Sequence, residues 1–94
     1  MALLFVPDWA GPRELADAGA WAQTFMLALT ALGVGSIPQA ALGLYPGVTR
    51  AILGVPETQR LLYGISFGMA DTTAPANNFE VGRAALDETV TFHG

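Results

Sequence analysis

A single histidine, His93, stands one residue from the C-terminus, and the chain contains no cysteine. Metal centres draw on three or four His, Cys or carboxylate ligands, so His93 reads as a solvated tail residue. The lack of cysteine also excludes a disulfide framework, a thiolate metal site and a thiol nucleophile. Ser36 and Ser66 are nucleophiles by type, yet no Ser/His/Asp constellation is available to activate either. Asp87 and Glu88 are adjacent carboxylates, and adjacency puts them on different sides of a helix or a strand; a solvated helix start or turn is the better reading. The glycine-containing runs LGVGS (32–36) and GISFG (64–68) lack the G-x-G-x-x-G spacing that opens a dinucleotide-binding helix after a strand. Residue types alone define no catalytic centre, only an α+β module built around a buried helix.

The composition narrows the class further. Ninety-four residues make one small domain or a piece of a larger one. A chain of this size buries roughly 64% of the surface its unfolded form exposes, a thin margin. With 52% hydrophobic and 13% charged residues it is too apolar for intrinsic disorder. Four basic against eight acidic residues give a net charge of −4 with no basic run, which excludes the footprint that nucleic-acid phosphates require. So apolar and short a chain should expose hydrophobic surface unless a partner covers it.

The elements that must position any site follow from the hydrophobic pattern. Leu3–Val6 is a short apolar run ended by Pro7, as in a buried strand. Gly11-Pro12 opens a helix, because proline is tolerated in the first turn, and Glu14 and Asp17 suit its positive end. From Ala18 to Thr49 no residue is charged. That stretch is long enough to span a membrane, but Ala, Gly and Thr dominate it, Gln23 interrupts it, and no Lys/Arg cluster flanks it. The first residues carry no positive segment of a signal peptide. A soluble helix, apolar all round because it is buried all round, fits better. Trp21, Phe25, Ala28, Leu29 and Leu32 have core-face spacing, while Ala20, Gln23, Leu27, Thr30 and Ala31 form a mostly small opposite face open to another helix. Gly33 and Gly35 are natural C-terminal caps.

SIPQAALGLYPG (36–47) then reads as a loop. Val48–Leu53 reads as a short helix stopped by Gly54. Residues 59–68 alternate, with Leu61, Tyr63, Ile65 and Phe67 on one side and Leu62, Gly64, Ser66 and Gly68 on the other. This is a strand with one small face, suited to a closely packed helix. Residues 70–83 form a polar loop, and Thr89–His93 a terminal strand.

The order of four blocks carries more than any single residue. DAGAWAQTFMLALTALGVGSIPQAAL, YPGVTRAILGVPE, LLYGISFGMADTTAPANNF and R-x-x-LDETVTF follow one another as in the C-terminal half of the FMN-dependent nitroreductase family, which the chain resembles from about Leu3 to Phe92. The resemblance implies an α+β fold, a mostly antiparallel sheet flanked by helices, with the long helix buried at the core of an intertwined homodimer. It implies residues 1–94 as a single partial domain in the cytoplasm, with FMN as cofactor, NADH or NADPH as donor, and nitroaromatics, quinones or similar small molecules as acceptors. No nucleic-acid or membrane partner is implied.

Two groups of site residues come with the resemblance. After Pro38, the residues Gln39, Ala40 and Ala41 match the loop whose backbone N–H groups meet flavin N5 and O4, where they stabilise charge on the reduced ring. Because these contacts are main-chain, alanine serves there. Arg83 matches the residue that grips the FMN phosphate, a task suited to its planar fork. Some relatives carry a lysine two residues earlier, where this chain has Val81. Family members are roughly twice as long, and their N-terminal half supplies most of the phosphate contacts and a polar segment along the ring. Two readings therefore stand: part of a flavin oxidoreductase that pairs with itself or with a partner supplying the rest, and a truncated, non-catalytic remnant that only oligomerises.

Overall fold

The computed structural model describes residues 1–94. Strand β1 (Ala2–Pro7) leads to helix α1 (Pro12–Ala31), strand β2 (Gly35–Gln39), a 3₁₀ turn (Ala40–Leu44), helix α2 (Pro46–Leu53) and strand β3 (Gln59–Gly68). A second 3₁₀ turn (Pro75–Asn78) and a single helical turn, α3 (Leu86–Thr89), follow. The class is α+β as expected. The three strands form one sheet in the order β1-β3-β2, with β3 antiparallel to both neighbours. The register on β1 shifts once, between Leu4 and Phe5, where Leu62 is skipped.

Local chemistry sets the ends of the helices. Pro12 occupies the first turn of α1, and the Glu14 carboxylate accepts the Gly11 N–H at 2.9 Å. The helix stops where Gly33 takes a left-handed φ of 73°. There Gly33 N–H donates to the Thr30 carbonyl and Val34 N–H to the Leu29 carbonyl, the paired bonds of a glycine-terminated helix. Gly35, expected to share the capping, instead begins β2. Gly54, with φ of 65°, ends α2 in the same left-handed region.

Two expectations need correction. The segment 35–39 is a strand, not a loop: pairing with β3 from Gly35↔Gly68 to Gln39↔Gly64 overrides its breakers, and Pro38 is tolerated because β2 is an edge. Thr89–His93 forms no strand; Thr89 closes α3, and the residues after it pair with nothing in the sheet. Within this single chain the long helix is covered on one side only. Only Ala22 is fully buried, whereas Trp21 is 53% and Leu32 78% exposed.

The inward face of α1 is Leu15, Ala18, Ala22, Phe25 and Leu29, one position away from the face expected around Trp21. The small Ala18 and Ala22 let the backbone approach its own sheet, and the bulky indole of Trp21 stays outside. There it stacks on Phe25, with ring centroids 5.4 Å apart, and Phe25 meets Phe67 of β3 edge-on at 5.8 Å. Helix α1 therefore lies on the large-residue side of β3.

The small side of β3 has a different use: it receives the first 3₁₀ turn. A Cβ at Gly64 would stand 2.5 Å from Leu42 Cδ1, and one at Gly43 would collide with the Leu62 carbonyl oxygen. These two glycines let the turn press directly on the strand. Two arginines add ties to backbone carbonyls. Arg50 of α2 donates from Nε and Nη2 to the Gln59 carbonyl at 3.2 and 3.0 Å, and Arg60 donates to the Ala10 carbonyl at 3.1 Å.

The core so built is small: Val6, Ala10, Ala22, Leu61 and Ile65 are its buried apolar residues. The radius of gyration is 16.5 Å, against about 12 Å for a compact domain of this length. Neither the second 3₁₀ turn nor α3 packs extensively on the sheet or on α1. No helix is long and apolar enough to cross a membrane.

The glycine geometry gives a graded prediction. Gly43→Ala is expected to cost about 1–3 kcal/mol, the usual range for forced overpacking, because a rigid backbone carbonyl must move. Gly64→Ala should fall at the low end of that range, since the obstructing atom is the mobile tip of Leu42. Urea midpoints of the two variants check the order.

Candidate functional site

The segment Pro38–Ala41 crosses the junction between an edge strand and a 3₁₀ turn. Pro38 pairs with Ile65 and Gln39 with Gly64, so both are held by the β2–β3 ladder. Ala40 and Ala41 open the turn, and their N–H groups precede the first bond that a 3₁₀ helix makes within itself. No side chain accepts a hydrogen bond from either, and both residues are exposed. Gly43 presses the rest of the turn onto Leu62. The result is an exposed junction on a fixed support, carrying only methyl side chains, whose two N–H groups lie ahead of the turn's own bonds. That arrangement fits a flat, electron-rich ring edge, which needs N–H donors and room to approach.

Gln39 does not offer its side chain there. The Ser66 hydroxyl donates to Gln39 Oε1 at 3.0 Å and holds the carboxamide on the surface of β3. Ser66 was considered above as a nucleophile and as one of the small residues of the 59–68 strand, not as a partner of Gln39. Its place on the small face of β3, diagonal to Gln39 in the ladder, was the signal that could have revealed this contact. Gly43 was missed in the same way, inside a segment read as loop.

Arg83 lies between the second 3₁₀ turn and α3, exposed and outside any helix or strand. It makes no side-chain hydrogen bond, unlike Arg50 and Arg60, which are committed to carbonyls. The structure thus leaves the Arg83 guanidinium available to an anion. Asp87 and Glu88 lie in the first turn of α3, exposed, as solvated carboxylates do.

The largest cavity adjoins this junction through Ser66, which bonds Gln39. An open cleft of about 420 Å³ lies at the Gly35–Gly68 end of the β2–β3 pair, lined by Ser36, Ser66, Phe67, Asp71 and Asn77 among others. Its far end, at Gly35, lies four positions along β2 from Gln39, or about 14 Å. Asp71 makes the cleft a poor place for a phosphate. Its Oδ1 accepts the Thr73 hydroxyl at 2.7 Å and the Thr73 N–H at 2.9 Å. The first of these, then the second, holds the carboxyl below its ordinary value of 3.8, so it stays negative at neutral pH. The donor pair at Ala40–Ala41 and the free Arg83 remain the elements suited to a ring edge and an anion.

The helix-covered antiparallel sheet agrees with what comparison with known proteins shows. The pattern of the Nitroreductase family matches residues 6–69, and the chain belongs to that family. Arg83 lies beyond the matched residues. Among its relatives, the nitroreductase NfnB of Mycolicibacterium smegmatis is 50% identical over 92 residues, covering 98% of this chain and 39% of that protein. The chloronitrobenzene nitroreductase of Comamonas testosteroni is 34% identical over 74 residues, covering 79% and 33% respectively. The crystal structure of the FMN-dependent nitroreductase NfnB from Mycobacterium smegmatis in complex with NADPH superposes with a TM-score of 0.93, at 49% identity, over 98% of this chain and 41% of that one. An FMN- and NADPH-dependent NfnB from a Sphigopyxis strain gives the same TM-score at 38% identity, over 98% and 41%. The chain therefore spans between a third and about two-fifths of the length of these relatives.

Proposed function

We propose that this chain is part of an FMN-dependent NAD(P)H oxidoreductase that reduces nitroaromatics, quinones or similar acceptors. The observation that carries the reading is the likeness to NfnB, half of all residues over nearly the whole chain with a closely matching backbone. By the order of its sequence blocks the chain corresponds to the C-terminal half of the family fold, a single partial domain. Its donor is NADH or NADPH, and a cytoplasmic setting goes with that requirement. The exposed side of α1, with Trp21, Leu27 and Leu32, would be covered by a second copy or by the stretch of the fold this chain does not match.

When bound, FMN supplies the hydride and electron chemistry, which belongs to the cofactor. The protein's own residues hold and bias it. Ala40 and Ala41, with Gln39 before them, would direct backbone N–H groups at the ring edge, where fixed donors favour developing negative charge without reorganising. Gly43 keeps the turn that carries them from lifting off β3. Arg83 would bind the phosphate, adding a charge-assisted contact.

A binding comparison tests this reading. Arg83→Ala is expected to weaken FMN by about 10- to 100-fold, the equivalent of a charged hydrogen bond, and riboflavin far less, because riboflavin has no phosphate. Isothermal titration with both ligands measures the difference. Equal loss for both would mean that Arg83 acts by supporting the fold. A wild-type chain that binds neither flavin would favour the other reading, a non-catalytic oligomerising remnant, which the short span relative to the relatives also supports.

A further inference from the structure

We propose that Ser66 is a positioning residue for the Ala40–Ala41 donor pair, acting through Gln39; the proposal rests on the flavin reading above only for what the donors face. The strand ladder ends at the pair Gln39↔Gly64, and the next residue already belongs to the 3₁₀ turn. Gln39 is thus the hinge at which extended backbone becomes helical, with φ of −121° and ψ of 83°. Rotation about these two angles swings the N–H groups of Ala40 and Ala41 through space.

The ladder bonds hold only one side of this hinge. On the other side the fixed points are Leu42, packed on Gly64, and Gly43, lodged against the Leu62 carbonyl, which leaves Ala40 and Ala41 between them and the hinge. The bond from Ser66 Oγ to Gln39 Oε1, 3.0 Å long and partly buried, closes the gap. It runs diagonally across the sheet, from two residues further along β3, so it resists twisting of the hinge where a directly opposite pair would resist only separation. Serine is also small enough to lie beside Gly64 on the face that Leu42 must occupy.

The same bond decides what the site offers. A freed Gln39 side chain would bring a carboxamide, with both donor and acceptor atoms, to the margin of the junction. Tied down through Oε1, it has its acceptor atom engaged and leaves donors, the backbone N–H groups and its own Nε2. Ser66 therefore selects a donor-only surface from a sequence that also contains an acceptor.

The test compares Ser66→Ala, Ser66→Thr and Gln39→Met in the full chain. Amide ¹⁵N order parameters of Ala40 and Ala41 are measured without flavin. In Ser66→Ala they are expected to fall from rigid values of about 0.85 to below about 0.6, while those of β1 and α1 stay unchanged. Ser66→Thr keeps the hydroxyl and should restore them. Gln39→Met removes the acceptor from the other end and should reproduce the loss even if one serine variant folds poorly. Where flavin binds, Ser66→Ala should weaken riboflavin and FMN alike, by about fivefold, as for one neutral hydrogen bond. Unchanged order parameters in both Ser66→Ala and Gln39→Met would overturn the positioning role. Failure of the wild-type chain to bind flavin would overturn the flavin reading and leave the order parameters to decide the role of Ser66.

Discussion

Replacing Ile65 by alanine is expected to abolish stable folding of the isolated chain at 37 °C. Ile65 is 1% exposed and has the largest fully buried side chain. It sits at the middle of β3, the strand to which both β1 and β2 pair. Truncating such a residue removes its transfer free energy and leaves a cavity, together about 2–5 kcal/mol. Small domains hold about 5–15 kcal/mol in all, and this core contains only five buried apolar residues. Ile37→Ala provides the control: Ile37 is largely exposed on the edge strand, and its loss should stay within about 0.5 kcal/mol. Urea unfolding followed by circular dichroism measures both. An Ile65→Ala midpoint close to that of the parent would show that stability resides outside the β3 centre.

The second large effect concerns turnover. The 94-residue chain with added FMN is expected to oxidise NADPH, in the presence of a nitroaromatic, no faster than free FMN alone. Coexpression with the stretch of the Mycolicibacterium smegmatis relative that this chain does not match should raise the rate by at least about a hundredfold. The reason is geometric: hydride transfer needs reacting atoms about 3–3.5 Å apart, and small misplacements cost about 10²-fold. On the proposed reading Ala40–Ala41 would address one edge of a flavin, and Arg83 stands in a segment outside any helix or strand. Two copies of the chain duplicate these contacts and add none of the others. Rapid turnover by the purified chain alone would show that the remaining contacts are made by residues assigned here to structure.

Local signals in the sequence announced several elements faithfully. Gly11-Pro12 and Gly33 marked both ends of α1, Pro7 ended β1, and alternation revealed β3. Strand β2 was hidden because its evidence is not local. Gly35 and Pro38 are breakers by propensity, and only pairing with residues 64–68 makes them a strand. The face of α1 was misjudged by one position because Trp21 was weighed by size. In the structure close approach favours Ala18 and Ala22, and the large ring stays outside. The small side of β3 was correctly read as a tight packing surface, but its occupant is the 3₁₀ turn and not the long helix. As for the site, backbone donors leave no mark on composition. Gln39, Ala40 and Ala41 could be singled out only through the likeness of whole blocks, and the Ser66 bond only through the ladder register.

Pro38 has a consequence for the chain in concentrated solution. The β2–β3 register runs through it without a shift, so its ring nitrogen faces away from β3. A strand arriving along the outer margin of β2 meets a missing donor and a rigid ring, and the ladder stops there. The outer margin of β1 has no proline from Ala2 to Val6, and its backbone groups can be extended by another chain. The sheet thus has one sealed rim and one open rim. Strand addition by another chain is expected along β1 and not along β2.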